Sequence, residues 1–220
     1  IRTWALKEVE VKLQDMILTH YNQTEDDGKS CTRFFAIQEL PKTIPTQIFG
    51  PQTYKLIRKG QEGSSGILYR DYKDSDSNCV FEANEVEISE NDLTPPEGLD
   101  GKEKEAWKTS KGKLFPVEFT NTKKGEMFTM VCVHCKHFSN ADNLVTFLEN
   151  VHDYFKRDDN YVVIAGDTNF EQNDIKKSKK MKTFQHFCES FQSISKISNR
   201  GYNNFTPTTC KQRLPFQTQG

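Results

Sequence analysis

Three stretches of the chain are apolar almost without interruption, and each closes on polar or charged residues: RFFAIQEL at 33–40, MFTMVCVHC at 127–135 and YVVIAGDTN at 161–169. Runs of this length without helical spacing predict strands, and their continuity predicts burial on both faces. The first ends at Gln38-Glu39, where Pro41 stops it; the third ends in a glycine turn. Shorter strands are predicted at 54–59 and 66–70, joined by the Gly/Ser turn QEGSSG, at 79–88 and 114–120, and near 203–206. Helical spacing appears at 5–19, through Leu6, Val9, Leu13, Met16 and Ile17, and at 140–156, through Leu144, Phe147, Leu148, Val151 and Phe155. A further helix is predicted at 176–194, rich in Lys at its start and in Phe along one stripe. Residues 91–113 are polar and contain Pro95-Pro96, so they read as a long surface insertion. Strands mixed with helices in this order predict an α/β protein whose sheets are covered by helices.

A chain of 220 residues suits one domain. Its formal net charge of −1 gives no overall basic surplus, so a polyanion would have to be met by a local patch. No apolar run approaches the roughly 20 residues of a membrane-spanning helix. The six cysteines are scattered in or beside apolar runs, which reads as reduced, intracellular thiols rather than a disulfide frame.

The candidate chemistry sits at the strand ends. The strand from Tyr161 to Ala165 delivers Gly166-Asp167-Thr168-Asn169 at its carboxyl end, where open α/β sheets bind ligands. Asp167 can take a proton from water or hold a cation, and Asn169 can donate to a phosphoryl oxygen. The same four residue types also suit an ordinary turn. His134 closes another apolar strand and can contact a phosphate oxygen, or be a satisfied strand histidine. Glu39 closes a third, as a carboxylate able to hold Mg²⁺ or simply to face solvent. The cluster Cys132, His134, Cys135 and His137 invites a zinc reading, but its spacing fits no usual paired-ligand pattern, and adjacent strand residues point to opposite faces. Lys176, Lys177, Lys179 and Lys180 form a basic run just after Asn169, readable as a phosphate-binding patch or as a solvated helix start. The stretch FTPTTCKQRLPF at 205–216 mixes basic and aromatic side chains, as surfaces that bind single strands do.

Taken in order, a strand ending in Gln-Glu, a strand ending in His, a helix and a strand ending in Gly-Asp-x-Asn resemble the endonuclease/exonuclease/phosphatase (DNase I-like) superfamily. RFFAIQEL looks like that family's strand with the metal-binding Glu, here Glu39. MVCVHC looks like its strand ending in the catalytic His, here His134. VVIAGDTNF looks like its most specific motif, with Asp167 and Asn169 in the catalytic positions, and SSGILYR resembles the strand between the first two motifs. The resemblance implies a four-layer α/β/β/α sandwich of two mixed sheets flanked by helices, and a Mg²⁺- or Mn²⁺-dependent phosphodiesterase, most simply a nuclease. The family's opening strand ends in Asn, whereas here Thr3-Trp4 is followed by Ala5 and a predicted helix; its closing Asp and Asp-His motifs are not matched either. The expectation is therefore one domain over 1–220 lacking those terminal motifs, read as part of a longer polypeptide rather than as a degenerate member of the family. Phe170 stands where inositol 5-phosphatases carry Tyr-Arg, which disfavours that branch. A phosphoinositide or sphingomyelin hydrolase, and a binding protein that keeps the fold without catalysis, are the alternatives.

Overall fold

The computed structural model describes residues 34–40, 47–48, 54–59, 65–70, 80–170 and 178. The helix predicted at 5–19, the helix predicted at 176–194 apart from Ser178, the strand near 203–206, the 205–216 stretch and all four lysines of the basic run lie outside these residues.

The first sheet contains β1 (Phe34–Ile37), β2 (Gln47–Ile48), β3 (Tyr54–Arg58) and β4 (Gly66–Arg70), in the order β1-β4-β3-β2 and antiparallel throughout. The second contains β5 (Phe81–Glu85), β6 (Phe115–Asn121), β7 (Met127–His134) and β8 (Asn160–Asp167), in the order β5-β6-β7-β8. Here β5, β6 and β7 run antiparallel, while β7 and β8 are parallel. Parallel neighbours need a crossover, which α2 (Ala141–Phe155) supplies. The protein is thus α/β, with two sheets, one of them mixed. Strand β2 was not anticipated from the sequence.

Alternation along β7 divides the core. Met130 and Cys132 join Ile67, Tyr69, Phe115, Val117 and Phe119 between the two sheets. Phe34, partly buried, packs against that layer, its ring 4.8 Å from Phe119 and 5.0 Å from Phe128, both edge to face. Val131 and Val133 point the other way, into a cluster with Leu144, Phe147, Leu148 and Val151 of α2. Asn140 caps α2 by accepting from Asn143 N at 2.8 Å. At its other end the buried Asn160 accepts from Arg157 N at 2.9 Å and donates to Phe155 O at 3.1 Å and Thr129 Oγ1 at 3.2 Å, which fixes the turn into β8.

Two expectations need correction. Residues 91–113 are not a surface insertion: they contain α1 (Gly101–Gly112), capped by Asp100, which accepts from Glu103 N at 2.9 Å. The buried positions of α1 are Glu103, Ala106, Trp107 and Ser110, at helical spacing. Two of the four are polar, so the stripe is invisible to a hydrophobic pattern. Trp107 is fully buried, its ring 5.1 Å from Phe147, and its indole N–H donates to Leu93 O at 2.7 Å. Nor is β8 buried on both faces. Val162 and Ile164 pack on the helix side, but Tyr161 is 67% and Val163 45% exposed. On their face only Ala165 packs with the inter-sheet cluster. Among the described residues, no helix is long and apolar enough to cross a membrane.

Candidate active site

The parallel pairing of β7 and β8 puts His134 directly opposite Asp167, as the last register pair of both strands. Cys135 N donates to Asp167 O at 2.8 Å, one step past the end of β7. The chain then turns. Gly166 has φ +144, and a Cβ built there would overlap the Val133 carbonyl and lie 2.8 Å from Gln38 Nε2. Only glycine suits that backbone, and it lets the ends of β1, β7 and β8 close up. Gly166→Ala should therefore cost roughly 1–3 kcal/mol through backbone strain alone, read as a lowered urea midpoint.

Asp167 and Asn169 form a tight local unit. Asp167 Oδ1 accepts from Asn169 N at 2.8 Å, and Asn169 takes a left-handed φ of 52, which Asn tolerates better than most residues. Asn169 Nδ2 donates to Cys135 O at 2.7 Å. An amide nitrogen carries two protons, so one stays available. Both residues are exposed, whereas His134 is half-buried. The Nδ1 of His134 is buried and has no partner among the described residues. An imidazole nitrogen left so has capacity for one further contact.

The carboxyl end of β1 arrives at the same place. Gln38 Nε2 lies 3.1 Å from Cys132 Sγ, and the Cys132 thiol faces Ile37 O at 3.7 Å. Glu39 follows, exposed, with a left-handed φ of 58. The structure therefore brings His134, Asp167 and Asn169 together, and the Gln38 side chain, next to Glu39 in the chain, reaches Gly166 at the same edge.

Sequence reasoning missed the side chains behind this edge. Asp100 and Glu103 have capping-box spacing, but the Glu103 carboxylate does not return to the cap. It is buried and accepts from Ser139 N at 2.6 Å and from Ser139 Oγ. Ser110 Oγ accepts from Lys136 N at 2.8 Å. Helix α1 thus grips both ends of 136–139, the loop that follows His134. Within it, His137 Nδ1 lies 3.0 Å from Asn169 O, and its ring stacks on Phe170 at 5.5 Å. His137 had entered the sequence reading only as a zinc ligand.

The zinc arrangement conflicts with the packing. Cys132 belongs to the inter-sheet cluster and Cys135 to the helix-side cluster, on opposite faces of β7. Burial, with a smaller contribution from the Asp167 charge, pushes the Cys135 thiol up to about 12, so it is protonated at neutral pH. Burial also raises Cys132. Among the described residues, no three His, Cys, Asp or Glu side chains gather as a metal-holding group. Mg²⁺ does not require such a group, because it is commonly held by one or two carboxylates completed by water and phosphate oxygens. Glu39 and Asp167 are exposed hard-oxygen donors. Compared with protein-family models, with curated proteins and with solved structures, the chain matches none.

Proposed function

We propose that the protein is a divalent-metal-dependent phosphodiesterase of the endonuclease/exonuclease/phosphatase type, built as a four-layer α/β/β/α sandwich and acting on nucleic acid. The observation that carries the reading is the pairing of His134 with Asp167 at the carboxyl ends of parallel strands, with Asn169 folded back beside them and the Gln38-Glu39 turn adjoining.

In this reading Asp167 orients the attacking water and accepts its proton. Its Oδ1 is occupied by Asn169 N, which fixes the carboxylate plane and leaves Oδ2 for the water. The second Nδ2 proton of Asn169 and the imidazole of His134 stabilise charge on the phosphoryl oxygens. Glu39 would hold Mg²⁺ or Mn²⁺, which supplies Lewis-acid stabilisation of phosphoryl charge. The basic run Lys176, Lys177, Lys179 and Lys180 follows shortly after Asn169 in sequence, which suits a polyanionic substrate. Trp107, the one aromatic of 91–113, is buried in the core and is not available to a lipid surface.

Glu39→Gln keeps the shape of the side chain and removes its charge. It should raise the Mg²⁺ concentration needed for half-maximal rate by about tenfold or more, in line with the loss of one charged contact. A Mg²⁺ titration of hydrolysis checks this. An unchanged titration curve would remove Glu39 from the metal site.

A further inference from the structure

We infer that His137 and Phe170 form a stacking platform for an unpaired nucleobase next to the reacting phosphate, so that the substrate is single-stranded. The inference rests on the phosphodiesterase reading and adds what the site recognises. His137 is exposed, and its ring lies nearly parallel to Phe170, at 17° with centroids 5.5 Å apart. Phe170 is half-buried and packs against the helix-side core, so it backs the imidazole with a fixed surface. The His137 Nδ1 contact with Asn169 O at 3.0 Å holds the ring in plane. Since that oxygen can only accept, Nδ1 carries the proton. The ring is therefore backed by Phe170, exposed to solvent, and bonded to the residue that would contact the phosphoryl group.

Such a pair offers a π-face and no hydrogen-bond code. It therefore selects for a base that can leave its stack rather than for a particular sequence. A base within a duplex is stacked on both faces and cannot reach the ring without being extruded. Phe170 has no other evident task in the proposed hydrolysis, and His137 contributes to it only by holding Asn169 through its carbonyl; Asp167, Asn169 and His134 account for the proton and the phosphoryl charge.

The test compares two Mg²⁺-free equilibrium titrations of the full-length protein, with a short single-stranded oligonucleotide and with the same strand carrying one abasic nucleotide beside the central phosphodiester. Hydrolysis of both strands with Mg²⁺ is followed separately. Loss of the base should weaken binding roughly 5- to 150-fold, the range expected for one stacked base. His137→Ala should abolish that difference. His137→Phe, which keeps an aromatic face but loses the bond to Asn169 O, should retain the difference while lowering kcat. Equal affinity for the two strands in the wild type would overturn the platform, as would a difference that persists in a folded His137→Ala variant. Base-dependent binding without hydrolysis would keep the platform and count against the phosphodiesterase. Hydrolysis without base-dependent binding would do the reverse.

Discussion

Asp167→Asn is expected to slow turnover by about 10²–10⁴-fold, the usual contribution of a positioned acid–base group, while changing stability by no more than about 0.5 kcal/mol, as surface substitutions generally do. The structure explains why the two effects separate. The side chain is exposed, and its structural duty is to accept one hydrogen bond from Asn169 N through Oδ1. Asparagine keeps an oxygen there, so the turn survives. What it loses is the ability to accept a proton from water. The check is kcat on a phosphodiester substrate beside urea unfolding of the same preparation. If activity and stability fell in proportion, Asp167 would be a turn residue and no more.

Trp107→Ala is expected to destabilise the protein by about 3–5 kcal/mol, the range for removing a large buried aromatic. The indole is fully buried against Phe147, and its N–H satisfies Leu93 O, so the substitution leaves both a cavity and an unpaired carbonyl. Urea unfolding with far-ultraviolet circular dichroism reads the loss directly. A change below about 1 kcal/mol would mean that 91–113 is, after all, the surface insertion its composition implies. The effect should also reach the site. Helix α1 holds the loop 136–139 through Glu103 and Ser110, and that loop bears His137, whose ring bonds Asn169 O. A partly loosened α1 should therefore lower kcat below the denaturation midpoint as well.

These two residues mark where sequence reasoning succeeded and where it failed. The strands β1, β7 and β8 were legible as unbroken apolar runs that close on chemically distinct residues, Gln38-Glu39, His134 and Asp167, and helix α2 as an apolar stripe at helical spacing. The bounds of β7, β8 and α2 came within two residues of those read from the sequence, whereas β1 spans only Phe34–Ile37 of the run at 33–40. Helix α1 follows the same 3.6-residue period, but two of its four buried positions are Glu103 and Ser110. A buried carboxylate needs hydrogen-bond partners, and Glu103 Oε1 finds them in Ser139, 36 residues away in the chain, where no local pattern can find it, while the buried Oε2 has none among the described residues. The two-residue β2 is too short to show a period at all. Exposure of Tyr161 and Val163 was hidden for a different reason: apolar residues in a strand record composition, whereas coverage depends on where the facing sheet ends. The candidate site divides in the same way. Its reactive side chains were readable as strand ends, but His137, Phe170 and the α1 clamp act through contacts between distant segments.

The activity we propose for this strand-end cluster is hydrolysis of phosphodiesters with a divalent metal. It is tested most directly by incubating the full-length protein with single-stranded RNA, single-stranded DNA, a phosphoinositide and sphingomyelin in parallel, with Mg²⁺ and with excess chelator. The expected result is cleavage of a nucleic-acid strand that stops in chelator and is lost in Asp167→Asn. Full activity in chelator, or hydrolysis of none of the four by a folded protein, would contradict it.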